Sequence, residues 1–349
     1  MKLAPVARAL ARTPARHFVV HTGQHYDDAM SDTFFRELGI SAPEHNLGVG
    51  SGTHAQQTAA IMVGLEPVLA AERPTRVLVY GDVNSTAAAA LVAAKLGIPI
   101  GHVEAGLRSR DWTMPEEINR LVTDRLAQLL FTPSRDADAN LRAEGVPAER
   151  IHFVGNVMID TLTNALPAAI AAGAPARHGV AGRPYAVVTL HRPANVDRPE
   201  VLGSLLEALR RVAVRLPVIF PVHPRTRPQL LALARSDDGL RLTEPLGYLE
   251  MLSLVREAAL VITDSGGLQE ETSYLGIPCL TVRPNTERPI TCSAGTNRLV
   301  DAADPAALER AAIEALDHPA GPRPASIERW DGQAGERIAA VLVEGAEFR

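Results

Sequence analysis

The chain has 349 residues, of which 46% are hydrophobic, and a net charge of -5 at pH 7. This length allows two hydrophobic cores of ordinary domain size, and the acidic balance argues against a nucleic-acid-binding surface. Cys279 and Cys292 lie in no metal-ligand spacing, so we expect neither a zinc site nor a disulfide framework. We find no secretory leader and no apolar run approaching the roughly 18 residues of a membrane span, and we therefore expect a cytoplasmic protein with no membrane partner.

Short β-branched runs alternate with alanine- and leucine-rich helical segments in the first half of the chain. The predicted strands are residues 17–22, 76–81, 99–106 and 129–134. This alternation is typical of βαβ units around a parallel sheet. The chain starts with a helical segment, MKLAPVARALARTPA, and no strand precedes it. We therefore expect a Rossmann-like domain over residues 1–166 whose first strand is missing.

The alternation restarts in the second half, with predicted strands at residues 185–191, 217–223 and 260–266. An Ala/Gly/Pro-rich stretch, 167–184, is predicted as a linker, and 185–324 as a second Rossmann-like domain. A final helical segment, 325–349, has no strand partner and is expected to pack on the first domain. The prediction is an α/β protein with two doubly wound domains and a ligand cleft between them.

A turn followed by a helix predicts a phosphate-binding site in the second domain. Ser265, Gly266 and Gly267 follow an apolar run and precede a predicted helix from Leu268 to Leu275. Unpaired N–H groups and the helix dipole favour an anion at such a helix start. Glycine lets a diphosphate approach the backbone without meeting a Cβ atom. An ordinary capped helix after a strand would also explain this turn if it stood alone.

The residues that follow the turn strengthen the nucleotide-sugar interpretation. Glu270 and Glu271 lie one turn along the helix, where a carboxylate can accept hydrogen bonds from ribose hydroxyls. Arg288 offers a fixed fork of donors to phosphate oxygens. Together, these residues predict a nucleotide-sugar site.

Several short strings along the chain occur in an order that resembles the UDP-N-acetylglucosamine 2-epimerase family. They are TGQHYDDAMSDTFF, GDVNST, GHVEAGLRS, MPEEINR, GNVMID, TLHRPANVD, PVHPRTR and TDSGGLQEE with TERP. The resemblance covers nearly the whole chain and implies the two-domain GT-B fold. It also implies reversible conversion of UDP-GlcNAc to UDP-ManNAc, no cofactor, no metal and a homodimer.

The chemistry of this reaction requires several carboxylates around C2 of the sugar. The C2 proton is weakly acidic, so loss of UDP is expected to precede or accompany its removal, which gives a 2-acetamidoglucal. Carboxylates stabilise the developing oxocarbenium character, and fixed donors stabilise the departing diphosphate. Return of the proton to the opposite face needs a second acid/base group.

The carboxylates that fit this requirement are Asp82, Glu104, Glu116 and Glu117. Asp82 and Glu104 follow or end strands, and the Glu116–Glu117 pair begins a helix at Pro115. The resemblance implies that Asp82, Glu104 and Glu116 are catalytic and that Glu117 is an adjacent ligand or structural residue. The alternatives are a turn-forming aspartate at 82 and carboxylates favoured by the helix dipole at 116 and 117. Glu104 lies among apolar residues, where an unpaired carboxylate would be costly.

His191 and Arg192 end a predicted strand and suit a leaving diphosphate. The resemblance implies that His191 is a catalytic residue, although a satisfied surface histidine would fit the same pattern. His223, at the end of another predicted strand, has weaker support. Lys2 matches a lysine that the family places near the sugar, and we predict that it contacts the substrate.

Other functions fit parts of this pattern. A hydrolysing epimerase would release free ManNAc and UDP, and an epimerase of a UDP-diacetamido sugar would use the same carboxylates. A GT-B glycosyltransferase would need an acceptor groove and gives no reason for so many carboxylates. A nucleotide-sugar-binding protein without catalysis is the interpretation from a different class.

Overall fold

The computed structural model describes residues 1–23, 35–224, 226–233, 239–318 and 326–344. It divides into two compact units. The first unit comprises Met1–Thr163 and Glu328–Arg349, and the second comprises Asn164–Ile327. Both are α/β units with parallel sheets, as the strand alternation predicted.

The first unit is built on a parallel sheet with the order β3-β4-β5-β6, and β1 and β2 form a separate parallel pair. The elements in chain order are α1 (Leu3–Leu10), β1 (Val20–His21), β2 (His45–Asn46), α2 (His54–Glu72), β3 (Val77–Tyr80), α3 (Asn84–Lys95), β4 (Ile100–Val103), α4 (Pro115–Leu126), β5 (Leu129–Thr132), α5 (Arg135–Ala143), β6 (Ile151–Phe153) and α6 (Val157–Ala172). The boundary between the two units falls within α6, after Thr163.

The second unit contains a parallel sheet of order β12-β11-β10-β7-β8-β9. Its elements are α7 (Ala174–Arg177), β7 (Ala186–Thr189), α8 (Pro193–Val196), α9 (Pro199–Ala213), β8 (Val218–Pro221), α10 (Arg227–Leu233), β9 (Leu240–Thr243), α11 (Tyr248–Val255), β10 (Leu260–Thr263), α12 (Gly266–Leu275), β11 (Cys279–Val282), α13 (Ile290–Ser293), β12 (Asn297–Val300) and α14 (Pro305–Asp317). The last helix, α15 (Ala334–Glu344), belongs to the first unit.

Apolar residues cover both faces of the second sheet. One cluster joins Val188 and Ile262 of the central strands to Leu205 and Leu209 of α9. A second cluster joins Val187 and Val261 to residues of α11. Both faces of a doubly wound sheet are buried, and its polar residues therefore collect at the carboxyl ends of the strands.

The linker prediction for residues 167–184 is wrong over most of its length. Helix α6 continues to Ala172, and α7 follows at once. Ala169, Ala174 and Val180 are fully buried. Packing of the buried face of the helix, which includes Ala165 and Ala169, keeps it helical despite the presence of Pro167.

The carboxyl-terminal segment packs on the first unit. Ile338 and Ala339 of α15 share an apolar cluster with Val6 and Ala9 of α1. Asp160 accepts hydrogen bonds from the first N–H groups of this helix. The helix begins at Ala334, later than predicted, because residues 326–333 form turns.

One stretch, Val157–Arg177, is long and apolar enough by composition to cross a membrane, which the sequence analysis did not expect. Half of it is buried inside the protein, and the core helix of a folded domain passes the same test. Its first turn carries Asp160, which is 3% exposed and bonded to α15.

Candidate active site

The carboxyl ends of β3 and β4 place Asp82 and Glu104 at one edge of the first sheet. The two strands are parallel neighbours, with Tyr80 opposite Val103. The Asp82 carboxylate accepts a 2.5 Å hydrogen bond from Arg120 of α4. Asn119 of the same helix donates to the Asp82 carbonyl oxygen at 2.9 Å. Helix α4 therefore holds both the backbone and the carboxylate of Asp82 in position.

Glu104 is buried beside Lys2. The Lys2 ammonium lies 2.7 Å from the Glu104 carboxylate, whose side chain is 2% exposed. Glu104 has a φ of 74°, a left-handed conformation that is strained for a residue with a Cβ atom. Lys2 also lies against Gly81, where an added Cβ atom would stand 2.5 Å from its ammonium nitrogen. Lys2 therefore reaches both turns that carry a predicted catalytic carboxylate.

Glu116 and Glu117 have different environments at the start of α4. Glu117 is 2% exposed and accepts hydrogen bonds from the Ser109 and Arg110 N–H groups and from Arg120. Burial raises the pKa of Glu117, but these hydrogen bonds and the Arg120 charge lower it below its usual value. Glu116 is half-buried, and within the described ranges its carboxylate has no hydrogen bond or ion pair.

The Glu117 contacts support a role that differs from substrate binding. Both of its carboxylate oxygens accept hydrogen bonds from the loop that precedes α4 or from Arg120. We therefore propose that Glu117 fixes this loop, whereas the Glu116 carboxylate is left for chemistry.

In the second unit, Asp264 organises His191 and Arg192. Asp264 follows β10, is fully buried and accepts hydrogen bonds from the N–H groups of His191 and Arg192 and from Asn195. Its carboxylate also lies 2.8 Å from His191 Nδ1. Burial raises the Asp264 pKa, but these bonds and the His191 interaction lower it below its usual value. The His191 ring packs near His223, with 5.7 Å between ring centroids.

Helix α12 begins at Gly266 with Ser265 as its N-cap, and no side chain caps it. A Cβ atom at Gly266 would lie 2.6 Å from a guanidinium nitrogen of Arg288. The glycine therefore allows Arg288 to lie against the start of the helix. Free helix N–H groups and a guanidinium in contact form a suitable site for a diphosphate.

Arg288 is held by carboxylates on both sides. Its Nε lies 2.8 Å from Glu270, and it also pairs with Glu287. Glu287 in turn pairs with Arg283 at 2.8 Å. Burial raises the pKa of Glu287, but the two arginines hold it far below its usual value. This cluster keeps the guanidinium of Arg288 in one position.

Glu271 has a different environment from Glu270. Glu271 is buried, and the Tyr248 hydroxyl donates a hydrogen bond to its carboxylate at 3.0 Å. Burial raises the pKa of Glu271 to about 7, against the lowering effect of the Tyr248 hydrogen bond.

The residues that hold the predicted ones in place were not predicted from the sequence; they are Arg120, Asp264, Tyr248, Arg283 and Glu287. Arg120 stands three residues after Glu117, and this spacing places both side chains on one helix face. Asp264 directly follows the buried strand β10 and contacts His191. The hydrogen bond between Tyr248 and Glu271 could not be predicted from their spacing in the sequence. Among the described residues, no group of His, Cys, Asp and Glu has the arrangement of a metal site.

The fold and these side chains define a sugar-nucleotide enzyme with two parallel α/β units. The family model described as UDP-N-acetylglucosamine 2-epimerase matches residues 8–343, and the chain belongs to this family. This match confirms the resemblance of the sequence. The chain is an isomerase of the sugar-nucleotide 2-epimerase type with a GT-B-like fold.

Two relatives illustrate the range of the family. The chain is 40% identical over 360 residues to the UDP-N-acetylglucosamine 2-epimerase of Methanocaldococcus jannaschii, covering 99% of this chain and 96% of that protein. It is 44% identical over 297 residues to the UDP-2,3-diacetamido-2,3-dideoxy-D-glucuronate 2-epimerase of Pseudomonas aeruginosa. This match covers 84% of this chain and 82% of that protein.

Solved structures agree with the fold. The Methanocaldococcus jannaschii UDP-GlcNAc 2-epimerase in complex with UDP-GlcNAc and UDP matches with a TM-score of 0.90 and 40% identity, over 99% of this chain and 96% of that chain. The Neisseria meningitidis UDP-GlcNAc 2-epimerase bound to UDP-GlcNAc matches with a TM-score of 0.90 and 29% identity, over 98% of this chain and 96% of that chain.

Proposed function

We propose that this protein interconverts UDP-GlcNAc and UDP-ManNAc by eliminating UDP to give 2-acetamidoglucal and then adding UDP back. The observation that carries the mechanism is the placement of Asp82 and Glu104 at the ends of neighbouring parallel strands. Each has its own cationic partner, Arg120 or Lys2. Two separate acid/base groups meet the requirement that a proton leaves one face of C2 and returns to the other.

The second unit supplies the UDP-binding residues in this proposal. The N–H groups at the start of α12 and the Arg288 guanidinium bind the diphosphate, and Glu271 accepts hydrogen bonds from the ribose. His191, oriented by Asp264, and Arg192 stabilise the charge that builds up on the departing diphosphate. Because these donors are held before substrate binds, little reorganisation is needed when the C1–O bond breaks.

The first unit supplies the proton transfers. Asp82 and Glu104 exchange the C2 proton. Glu116, whose carboxylate has no hydrogen bond or ion pair within the part of the chain that the structure describes, is the third acid/base candidate. Lys2 lies 2.7 Å from the Glu104 carboxylate and holds it in place. Glu117 holds the preceding loop in place rather than touching the sugar.

The experiment that tests this proposal is proton NMR of UDP-GlcNAc with the purified protein in deuterated water. Elimination and re-addition must place deuterium at C2 of both UDP-GlcNAc and UDP-ManNAc. Complete retention of the C2 hydrogen in the product would contradict the mechanism. Free ManNAc with UDP would instead identify a hydrolysing epimerase, and UDP binding with no turnover would identify a binding protein.

A second candidate substrate is a UDP-2,3-diacetamido uronic acid, which the 44% identity to the Pseudomonas aeruginosa relative favours. The same NMR experiment, run with each UDP-sugar at equal concentration, separates the two. The substrate with the higher kcat/KM is then assigned to the enzyme.

We also propose a cytoplasmic homodimer. Both cysteines are free thiols, in keeping with a reducing compartment. The dimer rests on the family alone. Light scattering of the purified protein tests the oligomeric state, and cell fractionation tests the compartment.

A further inference from the structure

Helix α4 turns a polar face toward the interior of the first unit. Its buried residues are Glu117, Arg120, Thr123 and Asp124, whereas Ile118 of the same helix is 46% exposed. This reverses the usual pattern, in which a helix buries its apolar side chains. Well-packed apolar residues often hold a helix as firmly as buried charges do. The polar face of α4 therefore points to a need for fixed geometry rather than for stability.

Asp124 of this polar face pairs with His102 of β4. His102 is fully buried on β4, and its Nδ1 lies 2.6 Å from Asp124 Oδ1. Its other nitrogen, Nε2, lies 2.8 Å from the carbonyl oxygen of Gly81. A carbonyl and a carboxylate oxygen both accept hydrogen bonds, so each ring nitrogen of His102 faces an acceptor.

Other groups keep Asp124 ionised. Its second oxygen lies 2.7 Å from the Arg108 guanidinium and accepts the Gly106 N–H at 3.1 Å. Burial raises the pKa of Asp124, but the charges and hydrogen bonds of His102 and Arg108 lower it below its usual value. Arg108 is in turn paired with Glu144 at the solvent side.

His102 contacts Gly81 and Asp124 contacts Gly106, and these two glycines belong to the turns that carry the predicted catalytic carboxylates. Gly81 immediately precedes Asp82, and Gly106 follows Glu104 by two residues. Gly81, Glu104 and Gly106 all have positive φ values, of 65°, 74° and 81°. Glycine adopts this conformation readily, whereas at Glu104 the surroundings must hold it.

We propose that the His102–Asp124 pair positions the two catalytic carboxylates. His102 fixes Gly81 and thereby Asp82, while Asp124 fixes Gly106 and thereby Glu104. The pair sets the separation of the two groups that exchange the C2 proton, and neither member touches the substrate. This inference rests on the proposed function of Asp82 and Glu104.

The test compares the parent with Asp124→Asn and His102→Gln. Each substitution replaces one member of the pair with a neutral side chain of similar size. We expect kcat to fall by about 100-fold, as a displacement near 1 Å at a reacting group produces, with the Kd for UDP unchanged. The double variant should have the kcat of the slower single variant, because residues that act as one unit are not additive.

Asp160→Asn is the matched control. Asp160 is a buried aspartate of the same unit that accepts the N–H groups of Ala334 and Gly335 at 3.1 Å and 2.7 Å. We expect this variant to lower Tm and leave kcat unchanged. If Asp124→Asn leaves kcat at the parent value, or lowers kcat only together with UDP binding and Tm, the positioning role is overturned.

Crystal structures of the parent and of Asp124→Asn decide the question without relying on turnover. The proposal requires that the Asp82 and Glu104 carboxylates change their separation in the variant. Superimposable turns would overturn it. If the parent converts no UDP-sugar, the proposed function fails, and this structural comparison still decides whether the pair positions the turns.

Discussion

Lys2 and Glu104 form an ion pair of 2.7 Å in which the carboxylate is almost completely buried. The chain has one other lysine, Lys95, which is exposed at the end of α3 and serves as a matched control. We expect Lys2→Met to lower kcat and to destabilise the protein by about 1–3 kcal/mol, because a buried carboxylate loses its partner while Lys2 itself keeps some contact with water.

Steady-state kinetics and thermal unfolding of Lys2→Met and Lys95→Met check this prediction. Because UDP binds to the second unit in our proposal, the Kd for UDP should stay at the parent value in both variants. Equal kcat values in the two variants would remove Lys2 from the mechanism.

Neighbouring glutamates at the start of α4 should respond in opposite ways. Glu116→Gln should reduce kcat by about 100-fold or more without changing Tm, because it removes an acid/base group that has no structural partner in the described chain. Glu117→Gln should instead lower stability by about 1.5–3 kcal/mol, because its charge-assisted hydrogen bonds hold the loop. Kinetics and urea unfolding separate the effects, and a stable, inactive Glu117→Gln would contradict this assignment.

The predictability of the fold from sequence depended on the length of each apolar run. The runs around Val79, Val103, Val188 and Ile262 are β-branched and bounded by turn residues, and their strands are confirmed. The runs of β2, β6, β9, β11 and β12 were missed because they are short or mixed with polar residues. Composition misled at residues 167–184, because the burial of Ala169, Ala174 and Val180 holds helical turns there despite the proline and glycine residues.

The predicted site residues were found at strand ends and at a helix start, where open α/β sheets place ligands. Their supporting partners lie inside elements, as His102 does in β4 and Asp124 in α4. Spacing cannot reveal these pairs, because they join residues that meet only after the helix packs on the sheet. The same limit applies to Glu117, whose partners are backbone N–H groups of a loop.

Gly266 should be required for UDP binding. A Cβ atom there would lie 2.6 Å from Arg288, so Gly266→Ala should displace the guanidinium and weaken UDP binding by about tenfold or more, the loss of one charge-assisted hydrogen bond. Gly203→Ala is the control, because an added Cβ on α9 meets nothing within 4 Å. It should stabilise the unit by about 0.5–1 kcal/mol and leave UDP binding unchanged. Calorimetric titration with UDP checks both variants, and equal Kd values would refute the role of Gly266.

Glu271 should make stability and UDP binding depend on pH in opposite directions. Burial raises its pKa from 4.5 to about 7. Between these values the folded protein binds more protons than the unfolded chain, so the free energy of unfolding contributed by this group falls as pH rises from 4.5 to 7 and is level above that range. Ribose hydroxyls donate to the ionised carboxylate, and UDP should therefore bind more tightly as pH rises through about 7.

Glu271→Gln tests both trends because it cannot ionise. Urea unfolding of parent and variant at a series of pH values should show the variant gaining stability relative to the parent between pH 4.5 and 7, the interval set by the two pKa values. UDP titrations over the same range should show that the variant loses the tightening seen with the parent. Parallel unfolding profiles would mean that the Glu271 carboxyl titrates alike in the folded and unfolded chains. Tyr248→Phe should shift the parent transition upward in pH, because the Tyr248 hydrogen bond lowers the Glu271 pKa.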